Sequence, residues 1–171
     1  MEAVAQRAGM TTGAIYGNFK NRDELLHRTR PDYWAPVSPR VKPGATFAEA
    51  MHARAEATLA AIPERTTAAV GRLTGLAYAL TSDDLRARVR DVTAASYEFG
   101  AEWLSTLGDE SELPMPPAQL VRVIHALIEG FVLQRILTPD LCPDEVFFAA
   151  FGALAQKTSS NTATPTPKRN R

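Results

Sequence analysis

The sequence predicts an all-α chain in two parts, a short helical head and a larger helical body. Three observations carry this expectation. Apolar residues recur every three or four positions through residues 45–157, the period of helices rather than strands. Pro31, Pro36, Pro39 and Pro43 crowd residues 31–44, which marks a linker between two parts. Residues 1–30 hold several helix start and stop signals in close succession.

The bulk composition sets the class. At 171 residues, 45% apolar and 22% charged, the chain can build one ordinary core plus a small appendage. It holds no run of about 18 apolar residues, the length that suggests a bilayer span, and no basic start followed by an apolar stretch of the secretory type. A cytoplasmic protein is expected. The single cysteine, Cys142, cannot form an internal disulfide. With His27, His52 and His125 widely spaced, no metal-ligand cluster arises and no cofactor is expected.

Taken in order, residues 2–8 read as a short helix ended by Gly9. Thr11 and Thr12 offer a cap for a second helix carrying Ile15, Tyr16 and Phe19. Asn21 with Glu24 has the spacing of a capping box and opens a third helix to about Arg28, stopped by Pro31. Beyond the linker, Phe47, Met51, Ala55, Leu59 and Ile62 form one apolar face, which Pro63 is expected to close. Val70, Leu73, Ala77 and Leu80 form the next. Ser82 caps a long helix with Asp83 and Asp84 in its first turn, where carboxylates suit the helix dipole. Its stripe is Leu85, Val89, Val92, Ser96, Phe99 and Trp103, and Gly108 ends it. Pro116 and Pro117 introduce a very apolar helix over about 117–137, which Pro139 stops. Pro143 starts the last helix, with Phe147, Phe148, Phe151 and Leu154 on its buried side. Residues 158–171 are Thr-, Ser-, Asn-, Pro- and Arg-rich and are expected to form a disordered basic tail.

Net charge is zero but unevenly spread. In residues 1–30, Arg7, Lys20, Arg22, Arg28 and Arg30 outnumber Glu2, Asp23 and Glu24, whereas residues 31–167 carry an acidic excess. A basic head on an acidic body suits an anionic partner at one end.

The head carries the most specific pattern. Ala5, Gly9 and Ile15 have the spacing of a helix-turn-helix. The small residue lets the second helix pack closely on the first. Glycine supplies the positive φ of the turn. The branched residue locks the second helix at a steep angle, so that its outer face can enter a major groove.

The longer run Val4-Ala5-Gln6-Arg7-Ala8-Gly9-Met10-Thr11-Thr12-Gly13-Ala14-Ile15-Tyr16-Gly17-Asn18-Phe19-Lys20-Asn21-Arg22-Asp23-Glu24-Leu25-Leu26 resembles the DNA-binding motif of the TetR family of bacterial transcriptional regulators. The resemblance implies a recognition helix whose Thr11, Thr12, Tyr16 and Asn18 reach phosphates or base edges. Gly13 and Ala14 would allow close approach to bases or a thymine methyl. Lys20 and Arg22, at the start of the next helix, would grip phosphate. Ile15, Phe19, Leu25 and Leu26 would form the head's core. Asn18 stands where the family usually has histidine, and Gly17 where a larger residue is usual, at a helix cost of about 1 kcal/mol. The family also has a further helix before this motif, whereas Met1 lies at the start of the second family helix. As written, residues 1–30 read as an N-terminally truncated three-helix domain. The alternative reading is a dimeric ligand-binding or interaction module that no longer binds DNA.

For the body, residues 45–157, the resemblance implies a small-molecule effector site and a homodimer formed by the last two helices. The residues agree that the helix over 117–137 is apolar on more than half its circumference, which a homodimeric four-helix bundle would bury. Ile124, Ile128, Phe131, Phe147 and Phe151 are the expected interface. Tyr78, Tyr97, Phe99, Trp103, His125 and Glu129 are the aromatic and isolated polar residues expected to line a pocket, whose apolar surroundings favour an apolar or aromatic effector. The implied function is a ligand-responsive repressor reading a palindromic operator. No nucleophile–base pair, phosphate-cradling glycine loop or paired carboxylates point to an enzyme.

Overall fold

The computed structural model describes residues 2–18, 36–108 and 110–156 of the chain. The expected third head helix and the basic tail lie outside the described residues. Among the described residues the head holds two short helices, α1 (Glu2–Arg7) and α2 (Thr12–Asn18). Four helices form the body: α3 (Phe47–Ala79), α4 (Asp83–Ser105), α5 (Pro117–Leu137) and α6 (Asp144–Leu154). No strand occurs among the described residues. No helix among them is long and apolar enough to cross a membrane.

Helix α3 departs from the sequence expectation. Thr46 and Glu49 open it with a reciprocal capping box, in which the Glu49 amide donates to the Thr46 hydroxyl (3.2 Å) and the Thr46 amide to the Glu49 carboxylate (2.8 Å). That hydrogen bond from the Thr46 amide holds the Glu49 carboxyl below its ordinary pKa. The helix then runs 33 residues and passes through Pro63. An interior proline costs about 3 kcal/mol. Stopping at residue 63 would instead leave two helix ends to satisfy, and Glu64-Arg65-Thr66-Thr67 contains no glycine on which to turn. The faces expected on two helices therefore lie on one.

Helix α5 occupies the centre. Leu120, Val121, Ile124, Ile128 and Val132 are buried along one face, and α3, α4 and α6 all pack against the helix. The N-terminal half of α3 supplies Ala50, Met51 and Ala55, and α6 supplies Phe147 and Phe151, all without solvent exposure. Burial of each large side chain contributes about 1.5–3 kcal/mol. Thr58, buried among them, satisfies its hydroxyl by donating to the Arg54 carbonyl at 2.7 Å. The α5–α6 turn is tied by Arg135, which pairs with Asp144 and donates to the Cys142 carbonyl.

Within the single chain, this packing already buries most of the expected interface. Ile124, Ile128, Phe147 and Phe151 are 4%, 7%, 0% and 0% exposed, so the chain's own core already takes up their apolar surface. Phe131 is half-buried, its ring 5.1 Å from that of Phe147. Within the expected stripe of α4, Leu85 is buried whereas Val92 and Phe99 are exposed.

Helices α4 and α5 approach closely at Gly100, where a Cβ would lie 2.5 Å from Cγ2 of Val121. Val121 is buried and β-branched, so it yields little. Gly100→Ala is expected to destabilise the fold by about 1–3 kcal/mol despite alanine's higher helix propensity. Gly71→Ala, where nothing lies within 4 Å, should stabilise it by about 0.5–1 kcal/mol. Urea denaturation of the two variants measures both, and a stabilising Gly100→Ala would disprove the close approach.

Candidate nucleic-acid interface and ligand cavity

In the head, the turn after α1 is closed by the Met10 amide donating to the Ala5 carbonyl at 2.9 Å. Gly9 takes φ +64°, which side-chain-bearing residues rarely adopt. The Thr11 hydroxyl caps α2 by accepting from the Ala14 amide at 3.1 Å. Ala5 and Ile15, each 3% exposed, are the head's buried residues among those described. With Ile15 turned inward, Gly13, Tyr16 and Gly17, spaced i, i+3 and i+4, share the exposed side of α2. Tyr16 is 52% exposed. The result is a short helix whose outer face carries one aromatic hydroxyl between two positions with no side chain. Thr12 and Ala14 are half-buried at its margins. Asn18 ends α2. Lys20 and Arg22 lie outside the described residues.

In the body, a cavity of about 290 Å³ opens between α3, α4, α5 and residues 36–39. Its apolar walls come from Val92, Phe99, Leu104, Val121, Ile124 and Ile128. Three guanidinium groups of α3, those of Arg54, Arg65 and Arg72, also reach it, together with Glu129 and His125 of α5. Arg65 lies 3.5 Å from the Glu129 carboxylate, and Arg72 pairs with the other oxygen of the same carboxylate. Arg54 donates to the Val37 carbonyl and stacks over Trp103, with the guanidinium carbon 4.7 Å from the ring centre. Arg65, Glu129 and Arg72 also border a second cavity of about 440 Å³ lined by Ala61, Ala68, Leu73, Leu76, Leu133 and Ile136. The ion-paired cluster thus stands between two largely apolar spaces.

Five of the six residues expected around a pocket, Tyr97, Phe99, Trp103, His125 and Glu129, meet at the first cavity. Tyr78 lines neither cavity and is half-buried near the end of α3. The three arginines were missed. The signal that could have found them is their spacing: Arg54, Arg65 and Arg72 are 11 and 7 residues apart, which returns to one face at 3.6 residues per turn. That register holds only for a helix continuous through Pro63.

His125 packs edge-on against Tyr97, ring centres 5.3 Å apart. Burial, reinforced by the Arg72 and Arg65 charges, pushes its pKa below the ordinary 6.5. The folded chain therefore binds this proton less readily than the unfolded chain. The stabilisation from keeping His125 neutral is complete above its unfolded pKa and is lost as pH falls toward the lowered folded value. Urea midpoints taken between about pH 7.5 and 5.5 should decline, and His125→Phe should flatten that decline. An equal decline in the variant would assign it to other groups.

Two family models match separate stretches of the chain. Residues 1–29 match the family model described as bacterial regulatory proteins, tetR family. Residues 47–157 match the one described as BetI-type transcriptional repressor, C-terminal. No curated protein and no solved structure matches the chain. The two family matches fall on the two parts that the helices delimit, and together they cover most of the sequence: the chain belongs to the TetR family of bacterial transcriptional regulators.

Proposed function

We propose that the chain is a ligand-responsive repressor that reads a palindromic operator as a homodimer. The observation that carries this reading is the head's geometry. Ala5 and Ile15 are buried behind a Gly9 turn, and α2 turns Gly13, Tyr16 and Gly17 outward. A protruding helix with that face can approach base edges closely while the tyrosine hydroxyl reaches a phosphate or a base. In this reading residues 1–30 are the DNA-binding part, with Thr11, Thr12, Gly13, Ala14, Tyr16, Asn18, Lys20 and Arg22 at the DNA. Residues 31–44 are a linker, 45–157 the effector and dimer domain, and 158–171 a basic tail.

Support for a homodimer comes from two outward stripes. On α5, Ala126, Leu133 and Leu137 are exposed at spacings that share one side. On α6, Val146, Ala149 and Ala153 do the same. These residues are a better interface than the inward-facing set expected from sequence, because their apolar surface has no cover among the described residues. Twofold pairing along them would present two α2 helices to two half-sites. The effector site is the cavity beside Trp103. An occupant there bears on residues 36–39, which follow the head in the chain, and can bias the body toward an arrangement that suits the operator less well.

The test is selection of sites from a random DNA pool by the full chain at moderate salt. An enriched palindrome is expected, with affinity that falls as salt rises. Tyr16→Ala should weaken binding to the selected site, and Lys20→Ala should lower the salt slope by about 1. No enrichment would overturn operator binding and leave a ligand-binding dimer. Ala153→Arg, placed on the exposed stripe, should yield a monomer by sedimentation and lose operator binding. An unchanged dimer would move the interface elsewhere.

A further inference from the structure

Arg54 is charged, largely desolvated and incompletely partnered. Burial lowers its pKa to about 10, which leaves it cationic at neutral pH. Its Nη1 donates to the Val37 carbonyl and its plane lies over Trp103. Its Nε–H is buried and has no hydrogen-bond partner. No carboxylate among the described residues forms an ion pair with it. A guanidinium has five N–H donors in a planar fork that matches a carboxylate, and a buried charge without a counter-ion is unfavourable. The side chain lines the cavity.

The charge around it points the same way. Three arginines line the cavity and, among its described lining residues, Glu129 is the one acid, shared by Arg65 and Arg72. His125 is held toward its neutral form. A cationic ligand would meet the Arg54 charge, which no carboxylate among the described residues pairs. It would also find the Trp103 ring covered by Arg54 and the Tyr97 ring by Arg122, 5.1 Å from its centre. The remaining walls are apolar, so an occupant needs an apolar body as well as an anion. At about 290 Å³ the space stands at the lower end of ligand pockets, which run roughly 300–1,000 Å³. That favours a small monoanion over a nucleotide-sized ligand.

We propose that this cavity binds a small apolar or aromatic carboxylate, and that Arg54 is its anchor. The proposal rests on the reading of this cavity as the effector site and adds the chemical class of the effector. The carboxylate pairs with the Arg54 guanidinium while the hydrocarbon lies along Phe99, Val121 and Ile124. The same guanidinium holds the Val37 carbonyl, so the ligand acts on the chain path between head and body.

Calorimetric titration of the full chain with two matched sets tests it: 4-phenylbutyrate against 4-phenyl-1-butanol, and octanoate against 1-octanol and octyltrimethylammonium. At least one carboxylate should bind about tenfold or more tightly than its alcohol, the energy of one charge-assisted hydrogen bond to a charged group. The ammonium compound should not bind. Arg54→Gln should erase the carboxylate preference while leaving the alcohol's affinity, and Arg122→Gln, outside the cavity, should preserve it. Equal binding of carboxylate and alcohol, tighter binding of the cation, or no binding of any probe at millimolar concentration overturns the proposal, as does a preference that survives Arg54→Gln. Should Arg54→Gln not fold, the wild-type comparison of isosteres decides alone. Operator binding is followed in parallel on the selected duplex. Carboxylate preference with unchanged operator affinity would keep the anion site and remove its effector role. Failure to bind any operator would strike the repressor reading without touching the titration.

Discussion

The unbroken run of α3 through Pro63 is the constraint on which the body's arrangement depends. Its N-terminal half packs on α6 and buries Ala50, Met51 and Ala55, while its later turns border the spaces beside α5. Because the helix does not stop, side chains 11 and 18 positions after Arg54 return to the same face. Core and cavity are thus built from one element: an apolar stripe seals the first half, and a cationic stripe beside it reaches the cavity. A break at residue 63 would have uncoupled the two.

The cavity's electrostatics follow from that stripe. Placing three guanidiniums near apolar walls is unfavourable unless each finds a partner. Glu129 meets two of them, with 30% of its side chain exposed, and Trp103 and the Val37 carbonyl partly compensate the third. Burial, reinforced by the same field, keeps His125 toward its neutral form. Arg54 therefore keeps a buried donor without a partner beside the cavity, and a group fixed in place in advance lowers the cost of binding. The cavity's contact with residues 36–39 puts that donor beside the segment leading to the head.

The head follows a different economy. Two short helices bury little, and Ala5 and Ile15 are the inner contacts among the described residues. What the head does well is expose one side of α2 on which Tyr16 stands between Gly13 and Gly17. A helix of 7 residues has little intrinsic stability. Its outer face can stay exposed because Gly9, the Thr11 cap and the Ile15 contact hold it from behind.

Much of the protein was legible in the sequence because the deciding physics is local. Helical period, Ser82 and proline start signals, and the Ala5–Gly9–Ile15 spacing act within a few residues, so they named the all-α class, the head motif and the family. The aromatic and polar residues around the cavity could be picked out because Tyr97, Trp103, His125 and Glu129 interrupt apolar helices. Three things were decided only by the tertiary structure. Whether Pro63 ends a helix depends on a balance between a local penalty and packing contributed by α5 and α6, which are distant in sequence. Whether Ile124, Ile128, Phe147 and Phe151 face inward or outward depends on which side of α5 its neighbours occupy, and periodicity cannot say. Whether charged residues on α3 meet a pocket or water depends on both. The arginine-lined cavity emerges from those non-local choices, since desolvation and ion pairing are properties of the assembled neighbourhood and not of any one segment.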